Sequence, residues 1–92
     1  MDTRMLKYPL FDMGQVTDDS VTIEAPKAHS FQHLAMQGTW ITLWAQAVEN
    51  RPPHKRTFFV FGTGHVIPGD LVYVGTVHDR QFVWHVFEKR EV

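Results

Sequence analysis

Arg56-Thr57-Phe58-Phe59-Val60-Phe61-Gly62-Thr63-Gly64-His65, followed closely by Leu71-Val72-Tyr73-Val74-Gly75-Thr76-Val77, decides the fold. Both runs are short and rich in aromatic and β-branched side chains. Glycines bound the first, and Ile67-Pro68-Gly69-Asp70 separates it from the second, which is the signature of β-strands. Two glycines, a hydroxyl and an imidazole within Gly62-Thr63-Gly64-His65 exceed what a plain connection needs. Gly64 carries no Cβ and can bring its amide against a ligand. Thr63 and His65 add hydrogen-bonding groups, and Lys55 and Arg56 open the preceding strand with positive charge. The stretch reads either as a loop between strands or as a polar binding loop on a rigid β scaffold.

Nearly every other apolar segment also reads as strand. Met5-Leu6-Lys7-Tyr8 stops at Pro9, which cannot donate to a ladder. Residues 12–20, with Gly14, Asp18, Asp19 and Ser20, have loop composition. Val21 to Ala25 alternates with period two, placing Val21, Ile23 and Ala25 on one face, and Lys27 follows its end. Phe31 to Met36 reads as strand, although His29 and His33 would share a face if this segment made a helical turn, and Gln37-Gly38 makes a tight turn. Thr39 to Ala47 places Trp40, Thr42 and Trp44 on one face and Ile41, Leu43 and Ala45 on the other. Residues 48–55 form a loop, His78-Asp79-Arg80-Gln81 a hairpin turn, and Phe82 to Phe87 the last strand. The expectation is an all-β fold, a small antiparallel sandwich or barrel of about seven short strands.

A length of 92 residues allows a single domain, 1–92. Three Trp, two Tyr and seven Phe are a rich supply for so small a core, and some rings can serve an oligomer interface or a ligand. Absence of cysteine excludes disulfides and thiolate-bound zinc and agrees with a reducing cytoplasm. The first residues lack the apolar stretch of a signal peptide, and no run reaches the ~18 apolar residues of a membrane span. The net charge of −1 gives no broad basic footprint for long nucleic acid. Residues 1–50 carry three Lys/Arg against six Asp/Glu, and residues 51–92 six against four. The basic half holds the glycine turn, which suits a small anion better than a DNA track.

Enzymatic chemistry finds little support. Zinc needs three or four ligands converging at about 2 Å, whereas His54, His65, His78 and His85 lie on different elements. Two-histidine phosphoesterases use paired His-x-Thr/Ser motifs, and none of the six histidines has Ser or Thr two positions on. Neither a Gly-x-Ser-x-Gly elbow nor a P-loop is present. What remains is a nest of amides with Thr63, Gly64 and His65, with Lys55 and Arg56 as phosphate partners. Tyr8, Trp44 or Trp84 can stack on a base, or can equally be core or interface. If His65 meets phosphate as a cation, affinity rises as pH falls through ~6.5. No metal, cofactor or catalytic residue is expected. A protein-interaction module with an exposed aromatic patch and a small OB-like nucleic-acid binder are the alternatives.

Lys7-Tyr8-Pro9-Leu10, Leu43-Trp44-Ala45, Lys55-Arg56-Thr57-Phe58, Gly62-Thr63-Gly64-His65, Leu71-Val72-Tyr73-Val74-Gly75-Thr76 and Phe82-Val83-Trp84-His85-Val86-Phe87-Glu88 occur in one order over most of the chain. In this the chain resembles a family of short uncharacterised proteins of tailed bacteriophages. The resemblance implies a phage accessory protein acting in the cytoplasm of the infected bacterial host. By analogy of size and context it suggests a sponge that sequesters a cyclic dinucleotide or another nucleotide signal of CBASS immunity. A dimer or tetramer would enclose a pocket too large for one small chain to build.

Overall fold

The computed structural model describes residues 2–15, 18–26, 28–48 and 51–90, leaving the side chains of residues 28 and 29 aside. Seven strands run in the order β1 (Thr3–Asp12), β2 (Ser20–Pro26), β3 (Ala28–Gln37), β4 (Trp40–Val48), β5 (Pro53–Gly62), β6 (Leu71–Asp79) and β7 (Phe82–Lys89). They build two antiparallel sheets, β1-β4-β3 and β2-β5-β7-β6, and no helix occurs among the described residues. The fold is all-β, and of the two expected architectures it is the sandwich. His29, one of the expected helix-face histidines, has its side chain outside the described residues, as does Lys27, but the segment around His29 is strand.

Alternation places the core as the pattern of β4 requires. Ile41, Leu43, Ala45 and Ala47 face inward and are buried, whereas Trp40, Trp44 and Gln46 face outward; Thr42, on that same outer side, is nonetheless fully buried. Leu10, Phe11, Phe58, Val60, Val77 and Val86 complete the cluster between the sheets. Burying a side chain such as Phe58 contributes roughly 1.5–3 kcal/mol.

Several features depart from expectation, among them the stretch 48–55 read as a loop, of which Val48 still belongs to β4 and Pro53 already opens β5. Pro9 does not end β1. This strand is the edge of its sheet, so the missing N–H of Pro9 breaks no ladder on its open side. The register slips between Pro9 and Phe11, and this bulge turns both Leu10 and Phe11 into the core. The runs 56–61 and 71–77 are also not neighbours, because β7 lies between β5 and β6 and pairs antiparallel with both. Residues 63–70 are therefore a crossover. They leave β5 at Gly62, opposite Trp84, and enter β6 at Leu71, opposite Lys89.

Gly75 sets the spacing where β3 meets β6. A Cβ there would lie 3.1 Å from Leu34 Cδ2 and 3.3 Å from Leu34 Cβ, closer than side chains normally pack. The two sheets approach each other at this corner because the position is glycine.

Candidate functional site

The eight residues singled out in the sequence fall in separate places. Arg56 and Gly62 lie on one extended strand, six residues or about 20 Å apart at ~3.3 Å per residue. Arg56 and the glycine turn therefore do not meet at one anion. Arg56 points into the sandwich, donating from Nε to Glu88 Oε2 at 2.6 Å and from Nη2 to Oε1 at 2.8 Å. The two side chains are only 11% and 12% exposed, and the guanidinium lies 4.9 Å from the Phe31 ring centroid across the core. Lys55 is exposed and faces Glu24 in the ladder. Tyr8 is half-buried near Arg56, and burial raises its hydroxyl pKa above the ordinary value near 10, an effect the Arg56 charge partly offsets. Trp44 lies on the outer face of the other sheet, against His33 at 5.6 Å.

The glycine turn is hydrogen-bonded to itself and to β7. His65 N–H donates to the Gly62 carbonyl at 3.2 Å, and Gly62 N–H donates to His65 Nδ1 at 3.3 Å. Gly64 sits at φ +94°, which closes the turn and is readily available only to glycine. A ring that accepts at Nδ1 is neutral, so a cationic role for His65 would break this bond. The Thr63 hydroxyl pairs with His85 Nε2 at 2.9 Å, and His85 Nδ1 pairs with Thr76 Oγ1 at 3.0 Å. Thr76 pairs in turn with the Tyr73 hydroxyl. This chain pins the start of the crossover to the outer face of its sheet.

A concavity opens at the end of the sandwich where β5 finishes. It has a volume of about 820 Å³, and of the eight residues only His65 and Trp84 line it. Its walls are the β1–β2 loop (Met13 to Asp19, among the described residues), the β3–β4 turn at Gly38 and Thr39, the end of β5 and the β6–β7 hairpin. Hydrogen bonds hold these walls in place. Asp12 Oδ1 accepts from Gly14 N–H at 3.0 Å and from the Thr39 hydroxyl at 2.7 Å, and Val60 N–H donates to the Asp19 carbonyl at 3.0 Å.

The hairpin supplies the chemistry that the sequence reading missed. Phe82 stacks on Trp84 with centroids 5.7 Å apart and planes 23° from parallel. The Trp84 indole N–H is buried without an acceptor among the described residues. Asp79 pairs across the hairpin with Phe82, and Arg80, at the tip, holds φ +58°. That left-handed conformation costs a non-glycine side chain about 1–2 kcal/mol. Among the described residues neither Asp79 nor Arg80 has an ion-pair partner. With Asp18 and Asp19 also in the wall, carboxylates outnumber the single arginine, so the cleft is no general anion trap. The signal for Asp79 and Phe82 was present. A two-residue turn makes the residues that flank it a facing pair, on the same side as Val77 and Trp84.

No group of three or more His, Cys, Asp or Glu able to hold a metal occurs among the described residues, nor is any helix long and apolar enough to cross a membrane. Fold and cleft together define a small two-sheet β-sandwich with a concave cleft at one end. The chain belongs to the family described as Domain of unknown function (DUF7352), which it matches over residues 1–92. No curated protein and no solved structure matches it.

Proposed function

We propose that this chain is a non-enzymatic binding protein that captures a small nucleotide-like ligand in the end cleft. The observation that carries the reading is the cleft's combination of size and lining: about 820 Å³, with the stacked Phe82–Trp84 pair in its wall and Arg80 at its rim. Small-ligand sites commonly span about 300–1,000 Å³. Stacking of a base on an aromatic side chain contributes about 1–3 kcal/mol, and an arginine can hold one phosphate bidentately. His65 and Trp84 stay in this site, and Arg80 takes the role expected of Arg56 and Lys55. The finer reading is a phage accessory protein that sequesters a cyclic nucleotide immune signal in the infected cell, and it rests on the family resemblance. A second copy closing over the open side of the cleft would complete such a pocket.

Isothermal titration against mononucleotides and cyclic di- and trinucleotides tests the proposal. Micromolar binding of at least one, lost in Phe82→Ala, is the expected result. No heat from any of them removes it. Native mass spectrometry with and without the bound nucleotide reports the subunit number.

A protein-interaction role is the second reading, favoured by the exposure of Val66 (91%), Tyr73 (57%) and Val72 (41%) on the crossover and β6. Exposed apolar side chains of this kind suit a protein partner better than a small molecule. A stoichiometric partner retained by the parent chain and lost in Val66→Asp would favour this reading.

A further inference from the structure

We infer that the cleft selects a guanine-type base, a planar ring with two adjacent N–H donors on one edge, and that Asp79 is the residue that reads it. The inference rests on the capture reading above and adds the class of base. Asp79 follows Val77 by two residues on β6, so it shares the inward side with that buried residue and lines the cleft. It is half-buried and lies across the hairpin from Phe82, whose ring stacks on Trp84. A base laid on the exposed face of Phe82 brings its edge to the neighbouring strand, where the Asp79 carboxylate stands. Ionised, that carboxylate offers only acceptors, on two oxygens.

Guanine matches this demand with its ring N–H and exocyclic amino group side by side, both donors. Adenine presents a donor beside a ring acceptor, which faces a carboxylate oxygen lone pair to lone pair. Inosine keeps the ring N–H and lacks the amino group. Arg80, next in the chain and without an ion-pair partner among the described residues, provides the one cation for a phosphate. Asp18 and Asp19 make the rest of the wall unfavourable to further negative charge. The base, rather than the number of phosphates, therefore sets affinity.

The test is titration of the full chain with GMP, IMP and AMP, repeated with Asp79→Asn and Phe82→Leu. The expected order for the parent is GMP, then IMP, then AMP, with GMP about tenfold or more tighter than AMP, as one good bidentate contact provides. Asp79→Asn should abolish that order while leaving the thermal midpoint unchanged. Phe82→Leu should weaken all three by a similar factor and preserve the order. Equal binding of the three nucleotides by the parent, or an order that survives Asp79→Asn, overturns base selection and leaves nucleotide capture standing. If none of the three binds while a cyclic nucleotide does, base selection is read on cyclic di-GMP against cyclic di-AMP with the same variants. If no nucleotide of any kind binds, both readings fall.

Discussion

The Arg56 guanidinium and the Glu88 carboxylate form a two-pronged ion pair inside the sandwich, with contacts of 2.6 and 2.8 Å. They join β5 to β7, and the cation also lies over Phe31 of the facing sheet at 4.9 Å. One arginine thus ties three strands in two sheets. Breaking such a buried pair leaves an uncompensated charge and costs about 3–5 kcal/mol, whereas replacing both members by apolar side chains is often nearly neutral. Glu88→Ala is expected to lower stability by about 3 kcal/mol in urea unfolding, and the double variant Arg56→Met with Glu88→Leu by far less. Each variant should bind a cleft ligand with the affinity of the parent. A loss of affinity in the double variant at unchanged stability would return Arg56 to the binding site.

Gly75 gives the sharpest packing test. In Gly75→Ala the new methyl group meets the Leu34 side chain at 3.1 Å, on a residue held between two sheets. Overpacking of this kind costs about 1–3 kcal/mol. The thermal midpoint of Gly75→Ala should fall, and the second substitution Leu34→Ala should recover less than it costs alone, giving a measurable coupling in a double-mutant cycle.

Tyr8 predicts the alkaline limb of stability. Burial holds its folded pKa above the ordinary value near 10. Between those two values the unfolded chain has lost the proton that the folded chain retains, so stability falls as pH rises. The contribution is complete below about pH 10 and disappears as pH climbs through the raised value. Urea midpoints measured from pH 9 to 11 should drop more steeply for the parent than for Tyr8→Phe. Parallel slopes would show that the hydroxyl ionises without hindrance.

How far the sequence disclosed this depends on whether the controlling interaction is local. The two faces of β4 were legible because alternation is a property of one strand: Ile41, Leu43 and Ala45 are buried, and Trp40 is 41% exposed. Pro9 misled because a proline ends a central strand but not an edge strand, and periodicity does not say which strand lies at an edge. Strand order was hidden for the same reason. Nothing in the runs around Phe59 and Tyr73 announces that β7 separates them. Glu88, which consumes Arg56, is 32 residues away along the chain. The separation of Arg56 from Gly62 was open to arithmetic, since any extended run of that length parts its ends by about 20 Å. The facing of Asp79 and Phe82 was equally available from the length of their turn.

Arg80 joins stability to binding. It occupies φ +58° at the tip of the β6–β7 hairpin, where glycine would sit without strain. Its guanidinium is also the one arginine in the cleft wall. If that charge holds a ligand phosphate, the strain is the cost of placing it there. Arg80→Gly should therefore raise stability by about 1 kcal/mol and weaken nucleotide binding. Arg80→Asn, which tolerates the left-handed conformation without the charge, should weaken binding to a similar degree. Thermal unfolding and titration on the same preparations separate the two effects. Unchanged affinity in both variants would leave the strained turn without a ligand-binding role and would confine recognition to the base.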